Sequence, residues 1–169
     1  MKHYGGWSFI EAYNLPVPLR RWFVERLVKE FKSRNFSVST IKNAHHGFDV
    51  DQPGKDSFRH RQAGADEVIV ASSKRWVLMH ENNDDEKIRL KDLLKKLSKV
   101  DLVLVEGFKQ ERHPKIEVVR QVKDQRLIAE NDQTIIALAT DTNININKTQ
   151  LNLNDTIGVA DFIGNYLEL

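Results

Sequence analysis

Leu102-Val103-Leu104-Val105-Glu106-Gly107 decides the fold. Four consecutive aliphatic residues closed by an acid and a glycine read as a central strand of a parallel sheet. Only a strand covered on both faces places apolar side chains on both sides of its pleat. In an open α/β sheet the carboxyl ends of the strands line the ligand crevice. An acid there points to where a Mg2+ bridging nucleotide phosphates would sit, which is the shape of a Walker B segment. Acids also close many strands with no such role, so the motif alone leaves both readings open for Glu106. Asp101, at the start of the run, reads as a solvated residue or a cap.

Working outward, Leu19, Trp22, Phe23, Leu27, Val28 and Phe31 recur at helical spacing. They predict an amphipathic helix over 18–34, with Pro18 in its first turn and Asn35 as its C-terminal cap. Residues 36–42 predict a short strand. Two β-rich runs, 67–71 and 76–79, flank Ser72-Ser73-Lys74-Arg75 and predict a hairpin. A helix is expected over 84–99, with Ile88, Leu90, Leu93, Leu94 and Leu97 inward. Strands are expected at 116–119 and 134–139, and a last helix at about 155–167. Helices alternating with strands imply an α/β fold with a mainly parallel sheet and one inserted antiparallel hairpin. With no repeat and no Gly-, Ser- or Pro-rich linker, the 169 residues read as one domain.

Composition removes several function classes. Basic residues number 26 against 24 acidic ones and are scattered, so the clustered basic face of a nucleic-acid binder is missing. The absence of cysteine excludes disulfides, zinc-thiolate sites and thiol nucleophiles. Met1-Lys2-His3-Tyr4-Gly5-Gly6-Trp7 lacks the apolar stretch of a signal peptide, and no run reaches the roughly 18 apolar residues of a spanning helix. A cytoplasmic protein with no membrane partner is expected.

The second feature is a polar loop over 43–57, long for a compact domain, and loops of that kind tend to be functional. It contains Asp49-Val50-Asp51-Gln52-Pro53-Gly54-Lys55-Asp56-Ser57, preceded by Lys42, His45 and His46 and followed by Arg59, His60 and Arg61. A Pro-Gly turn exposes backbone N–H groups, Lys55, Arg59 and Arg61 are suited to phosphate oxygens, and Asp51 to a metal. The same turn followed by Asp56 and Ser57 is also a plain way to open a helix. Adjacent histidines in a strand project to opposite faces, so His45 and His46 define no zinc site.

These segments resemble a known family. Ser39 through Asp51, Pro53-Gly54-Lys55-Asp56-Ser57, Arg59 through Ala65, Ser73-Lys74-Arg75-Trp76 and Leu102 through Lys109 together look like the molybdopterin-guanine dinucleotide biosynthesis adapter family, the MobB type. The resemblance covers the chain from about residue 24 to its end; Asn43 stands where the family usually has histidine. It implies a P-loop NTPase-like, three-layer α/β fold with helices on both faces of the sheet, in a homodimeric protein that binds GTP with Mg2+ and assists a MobA-type guanylyltransferase, which attaches GMP to molybdopterin. GTP hydrolysis is expected to be weak, so an adapter role is favoured over turnover. By resemblance Glu106 is the Walker B acid, Asp51 a Mg2+-side or phosphate-side residue and Lys55 a candidate phosphate contact. Thr140 and Asp141 lie toward the base, and Gly6, Trp7 and Ser8 open the phosphate-binding segment.

One departure is severe. A Walker A loop reads G-x-x-x-x-G-K-[ST], and counting from Gly6 its last three positions fall on Glu11, Ala12 and Tyr13. The loop requires glycine so that backbone N–H groups face the phosphates, lysine for the β and γ oxygens, and a hydroxyl for Mg2+. Gly6-Trp7-Ser8 before the break and Val24-Glu25-Arg26-Leu27 after it fit the family, which confines the disruption to 9–23 and suggests a local reading-frame shift. GTP affinity is expected to be severely lowered. The competing reading is an interaction module without nucleotide chemistry, meeting molybdopterin, the guanylyltransferase or its own twin through the 43–65 loop. A general P-loop kinase or ATPase is disfavoured by the 49–57 match.

Overall fold

The computed structural model describes residues 9–13, 17–44, 47–82, 88–120 and 127–169. In chain order the elements are β1 (Phe9–Tyr13), α1 (Val17–Ser33), β2 (Val38–Lys42), α2 (Asp56–Gln62), β3 (Glu67–Ala71), β4 (Trp76–His80), α3 (Leu90–Leu94), β5 (Leu102–Glu106), β6 (Lys115–Val119), a 3-10 turn (Ile128–Glu130), β7 (Ile135–Thr140), β8 (Thr149–Asn152) and α4 (Thr156–Leu167). They fall into two compact units, Met1–Asn43 with Leu90–Leu169, and Ala44–Arg89.

The first unit is built on a six-stranded sheet in the order β2-β5-β1-β6-β7-β8, and every described pairing in it is parallel. The aliphatic run that opened the sequence reading is β5, with Leu102 to Val105 all buried. Its side chains divide by the pleat. Leu102 and Leu104 join Phe23, Leu27 and Phe31 of α1 and Val159, Ala160 and Ile163 of α4 on one face. Val103 and Val105 meet Ile41 of β2 and Leu90 and Leu94 of α3 on the other. Helices therefore lie on both faces, as the periodicity predicts. Phe23, Leu27 and Phe31 are spaced by one turn each, and burying each stabilises the unit by about 1.5–3 kcal/mol.

Local chemistry sets the element ends. Asn35 adopts φ 66°, the Phe36 N–H donates to the Phe31 carbonyl at 3.0 Å, and the Asn35 N–H donates to the Lys32 carbonyl at 3.1 Å. That is a Schellman ending, so Asn35 terminates α1 as expected. Asp155 caps α4 by accepting from the Gly158 N–H at 2.9 Å. Asp101 ties the starts of β2 and β5 together: its carboxylate accepts from the Ser37 N–H at 2.7 Å and hydroxyl at 2.6 Å. Those bonds, the hydroxyl's first, hold the Asp101 carboxyl below its ordinary value.

Three expectations change. Residues 9–13, counted in the sequence as part of a broken phosphate loop, form β1 at the centre of the sheet. Phe9 pairs with Val103, and Glu11 with both Val105 and Lys115, because the gap between β5 and β6 accepts only an extended backbone. The helix expected over 84–99 forms only as Leu90–Leu94; residues 83–87 lie outside the described residues, and Lys95–Leu97 turn out of the helix while Leu93 and Leu97 still pack on the α3 cluster. The edge strand β8, rich in polar residues, adds to the expected set.

In the second unit β3 and β4 pair antiparallel, from Glu67 with His80 to Ala71 with Trp76, which is the expected hairpin. The Pro53-Gly54 step makes a turn with Gly54 at φ 88° and the Lys55 N–H donating to the Gln52 carbonyl at 3.2 Å. The left-handed φ requires glycine at that corner. The chain then enters α2 directly.

Candidate functional site

At the carboxyl edge of the large sheet, β2 ends on Lys42 and β5 on Glu106, in register with each other. The Lys42 ammonium lies 3.6 Å from the Glu106 carboxylate, whose side chain is largely covered. The Asn43 N–H donates to the Glu106 carbonyl at 2.7 Å. Gly107 follows at φ 103° and Phe108 at φ 57°. A Cβ on Gly107 would overlap the Cβ of Asn43, so glycine is required both by its dihedral and by the close approach of β2. Glu106 is thus held in place by its backbone at the carboxyl end of β5.

Further along the same edge, Arg120 after β6 donates to Asp141 after β7 at 3.1 Å. The Thr140 hydroxyl is buried and bonded to the Thr142 backbone. Deeper in the sheet, β6 carries two charged residues into the core. Glu117 accepts from the Ile128 N–H at 3.0 Å and the Ala129 N–H at 2.7 Å, satisfying the start of the 3-10 turn. Lys115 donates to the Glu111 carbonyl at 2.7 Å and to the Thr134 hydroxyl, with Asp132 at 3.4 Å. Burial, and then Lys115, push the nearby His113 imidazole down to about 3.

The second unit holds the other expected residues. Asp51 is nearly covered: one oxygen accepts from the Gln52 N–H at 2.9 Å and the Ser57 hydroxyl at 2.8 Å, and the other faces Arg61 Nε at 3.4 Å. Asp49 accepts from the Asp51 N–H and pairs with Arg61 Nη2 through both oxygens, at 2.9 and 2.8 Å. The backbone bond first, and Arg61 next, hold the Asp49 carboxyl low. Arg61 Nη1 reaches Glu81 at 2.9 Å. Lys55, Asp56, Arg59 and His60 are exposed. Glu81 was missed by sequence reasoning; its only signal is an acid immediately following β4.

Structure therefore places Lys42 and Glu106 together at one strand end, Thr140 and Asp141 farther along that edge, and Asp49, Asp51, Ser57 and Arg61 in one bonded loop. Gly6, Trp7, Ser8, His45 and His46 lie outside the described residues. No group of three or more metal-ligating side chains occurs among the described residues, and none of their helices is long and apolar enough to cross a membrane.

In sequence Asn14-Leu15-Pro16 separate β1 from α1, and none of the three is glycine or lysine.

A parallel sheet with β1 between β5 and β6, and an acid closing the strand beside β1, defines a P-loop NTPase-like α/β protein. The fold is similar to that of the crystal structure of molybdopterin-guanine biosynthesis protein B (MobB), with a TM-score of 0.76 at 20% identity over 95% of this chain and 99% of that one. The family model described as molybdopterin guanine dinucleotide synthesis protein B matches residues 21–141, and the chain belongs to that family. It is 40% identical over 150 residues to the molybdopterin-guanine dinucleotide biosynthesis adapter protein of Escherichia coli K12, covering 86% of this chain and 85% of the relative. The adapter protein of Haemophilus influenzae is 41% identical over 146 residues, covering 85% and 80%.

Proposed function

We propose that this protein is an adapter in molybdopterin guanine dinucleotide biosynthesis, working in the cytoplasm as a homodimer that assists a guanylyltransferase of the MobA type. Its membership in the adapter family, at about 40% identity to two adapters over most of its length, carries this reading. Partner contact runs through the 43–65 segment, where the exposed cations Lys55 and Arg59 sit on an internally bonded loop. Glu106, paired with Lys42 at the ends of β5 and β2, is the residue placed to face a metal-nucleotide. With the β1–α1 junction lacking glycine and lysine, GTP and Mg2+ are bound far more weakly than the fold type allows, and the adapter acts chiefly through protein contact.

Two titrations test this. Calorimetry with a non-hydrolysable GTP analogue and Mg2+ compares the native chain with a version in which Asn14-Leu15-Pro16, between β1 and α1, are replaced by Gly-Ser-Gly-Lys-Thr-Thr. Binding by the repaired version alone is expected, and equal binding by both would overturn the reading of the junction. Capture of the native chain by immobilised guanylyltransferase is expected in the absence of nucleotide; no capture would overturn the adapter reading.

A further inference from the structure

Arg61 reads in the sequence as one of three phosphate-facing cations, yet its guanidinium is turned inward. Nε faces Asp51, Nη1 pairs with Glu81 and Nη2 with both oxygens of Asp49. The Phe58 ring lies beneath it, 5.6 Å from the guanidinium carbon, and the side chain is only 14% exposed. Each of its three nitrogens is committed to a carboxylate. Asp51 is in turn committed to the Ser57 hydroxyl and the Gln52 N–H, so the bonds run continuously from Glu81, beyond β4, through Arg61 to both sides of the Pro53-Gly54 turn.

We infer that Arg61 is a positioning residue of this loop rather than a ligand: it fastens Asp49, Asp51 and Glu81 and so fixes the outward pair Lys55 and Arg59, one helical turn apart, as the binding cations. The assignment of the outward pair to partner binding rests on the adapter reading above; the fastening itself does not. Only a planar fork with donors on three sides spans these carboxylates, and a lysine has one point of charge. Asp51 likewise acts as a loop organiser whose oxygens face inward.

The test uses the full chain with Arg61→Lys, Arg61→Met and the double variant Lys55→Ala/Arg59→Ala. Hydrogen exchange of amides 49–57 is measured beside capture on immobilised guanylyltransferase. Both Arg61 variants are expected to speed exchange of 49–57 by about tenfold or more while leaving 102–106 and 156–167 unchanged, and to weaken capture. The double variant is expected to weaken capture with exchange unaltered. Native-like exchange in Arg61→Lys would overturn the fastening, since that variant keeps the charge and loses only the fork. A loosened loop with undiminished capture would overturn the link to binding. Failure of the native chain itself to be captured would sink the adapter reading, while the exchange data would still decide the role of Arg61.

Discussion

Replacing Gly107 with alanine tests how the strand-end acid is held. Gly107 adopts φ 103°, and its added methyl would overlap the Asn43 Cβ. A side chain in that left-handed region costs about 1–2 kcal/mol. Relieving the overlap against a packed neighbouring strand costs about 1–3 kcal/mol more. Moving Asn43 away also lengthens the 2.7 Å bond from its N–H to the Glu106 carbonyl, worth about 0.5–1.5 kcal/mol. Gly107→Ala is therefore expected to lose about 2.5–6.5 kcal/mol, lowering Tm by roughly 5–25 °C for a chain of this size. Thermal denaturation followed by circular dichroism reads the loss. The cycle with Asn43→Gly separates its parts: removing the Asn43 side chain relieves the overlap and leaves the dihedral strain, so a coupling of about 1–3 kcal/mol is expected between the two sites. A native-like Tm in Gly107→Ala, or zero coupling, would refute the argument that β2 and the turn after β5 are packed backbone against backbone.

Other outcomes follow from the interior. Glu117→Ala strands the Ile128 and Ala129 N–H groups in the core and is expected to cost about 2–5 kcal/mol, with Glu117→Gln costing less because one acceptor oxygen remains; urea unfolding measures both. His113 is held neutral down to about pH 3, whereas an unfolded histidine protonates near 6.5. Between those values the unfolded chain binds the extra proton, so stability rises with pH across the window and is fully present above it. His113→Phe should flatten that slope, and an unchanged slope in denaturant titrations from pH 4.5 to 6.5 would contradict it. Asp155→Ala should cost about 1 kcal/mol by uncapping α4, a fall of about 2–4 °C in Tm.

Much of the fold was legible because one run of residues, Leu102 to Val105, is apolar on both sides and can only be a central strand. The amphipathic spacing in α1 and the Asn35 ending were readable for the same reason: each is a local demand met by nearby residues. What escaped depends on distant partners. Phe9–Tyr13 alternates weakly on its own and becomes a strand because β5 and β6 leave a gap for it. Thr149–Asn152 is a polar edge whose extended form is imposed by β7. In the candidate site, residue types were legible but orientation was not: Arg61 resembles Arg59 in sequence, and its inward turn depends on Asp49, Asp51 and Glu81, ten to twenty residues away.

The sheet order also bears on how the chain acquires its form during synthesis. No two neighbours in the six-stranded sheet are joined by a tight turn, and its middle strand, β1, emerges first. Phe9 must wait for Val103 and Glu11 for Lys115, whereas β3 and β4 meet as soon as the four residues between them are made. The 44–89 unit is thus able to order while the N-terminal strand is still without neighbours. Nascent β1 has no partner strand until β5 has left the ribosome and only one until β6 follows, and that interval is when the chain is most exposed to aggregation and most dependent on chaperones.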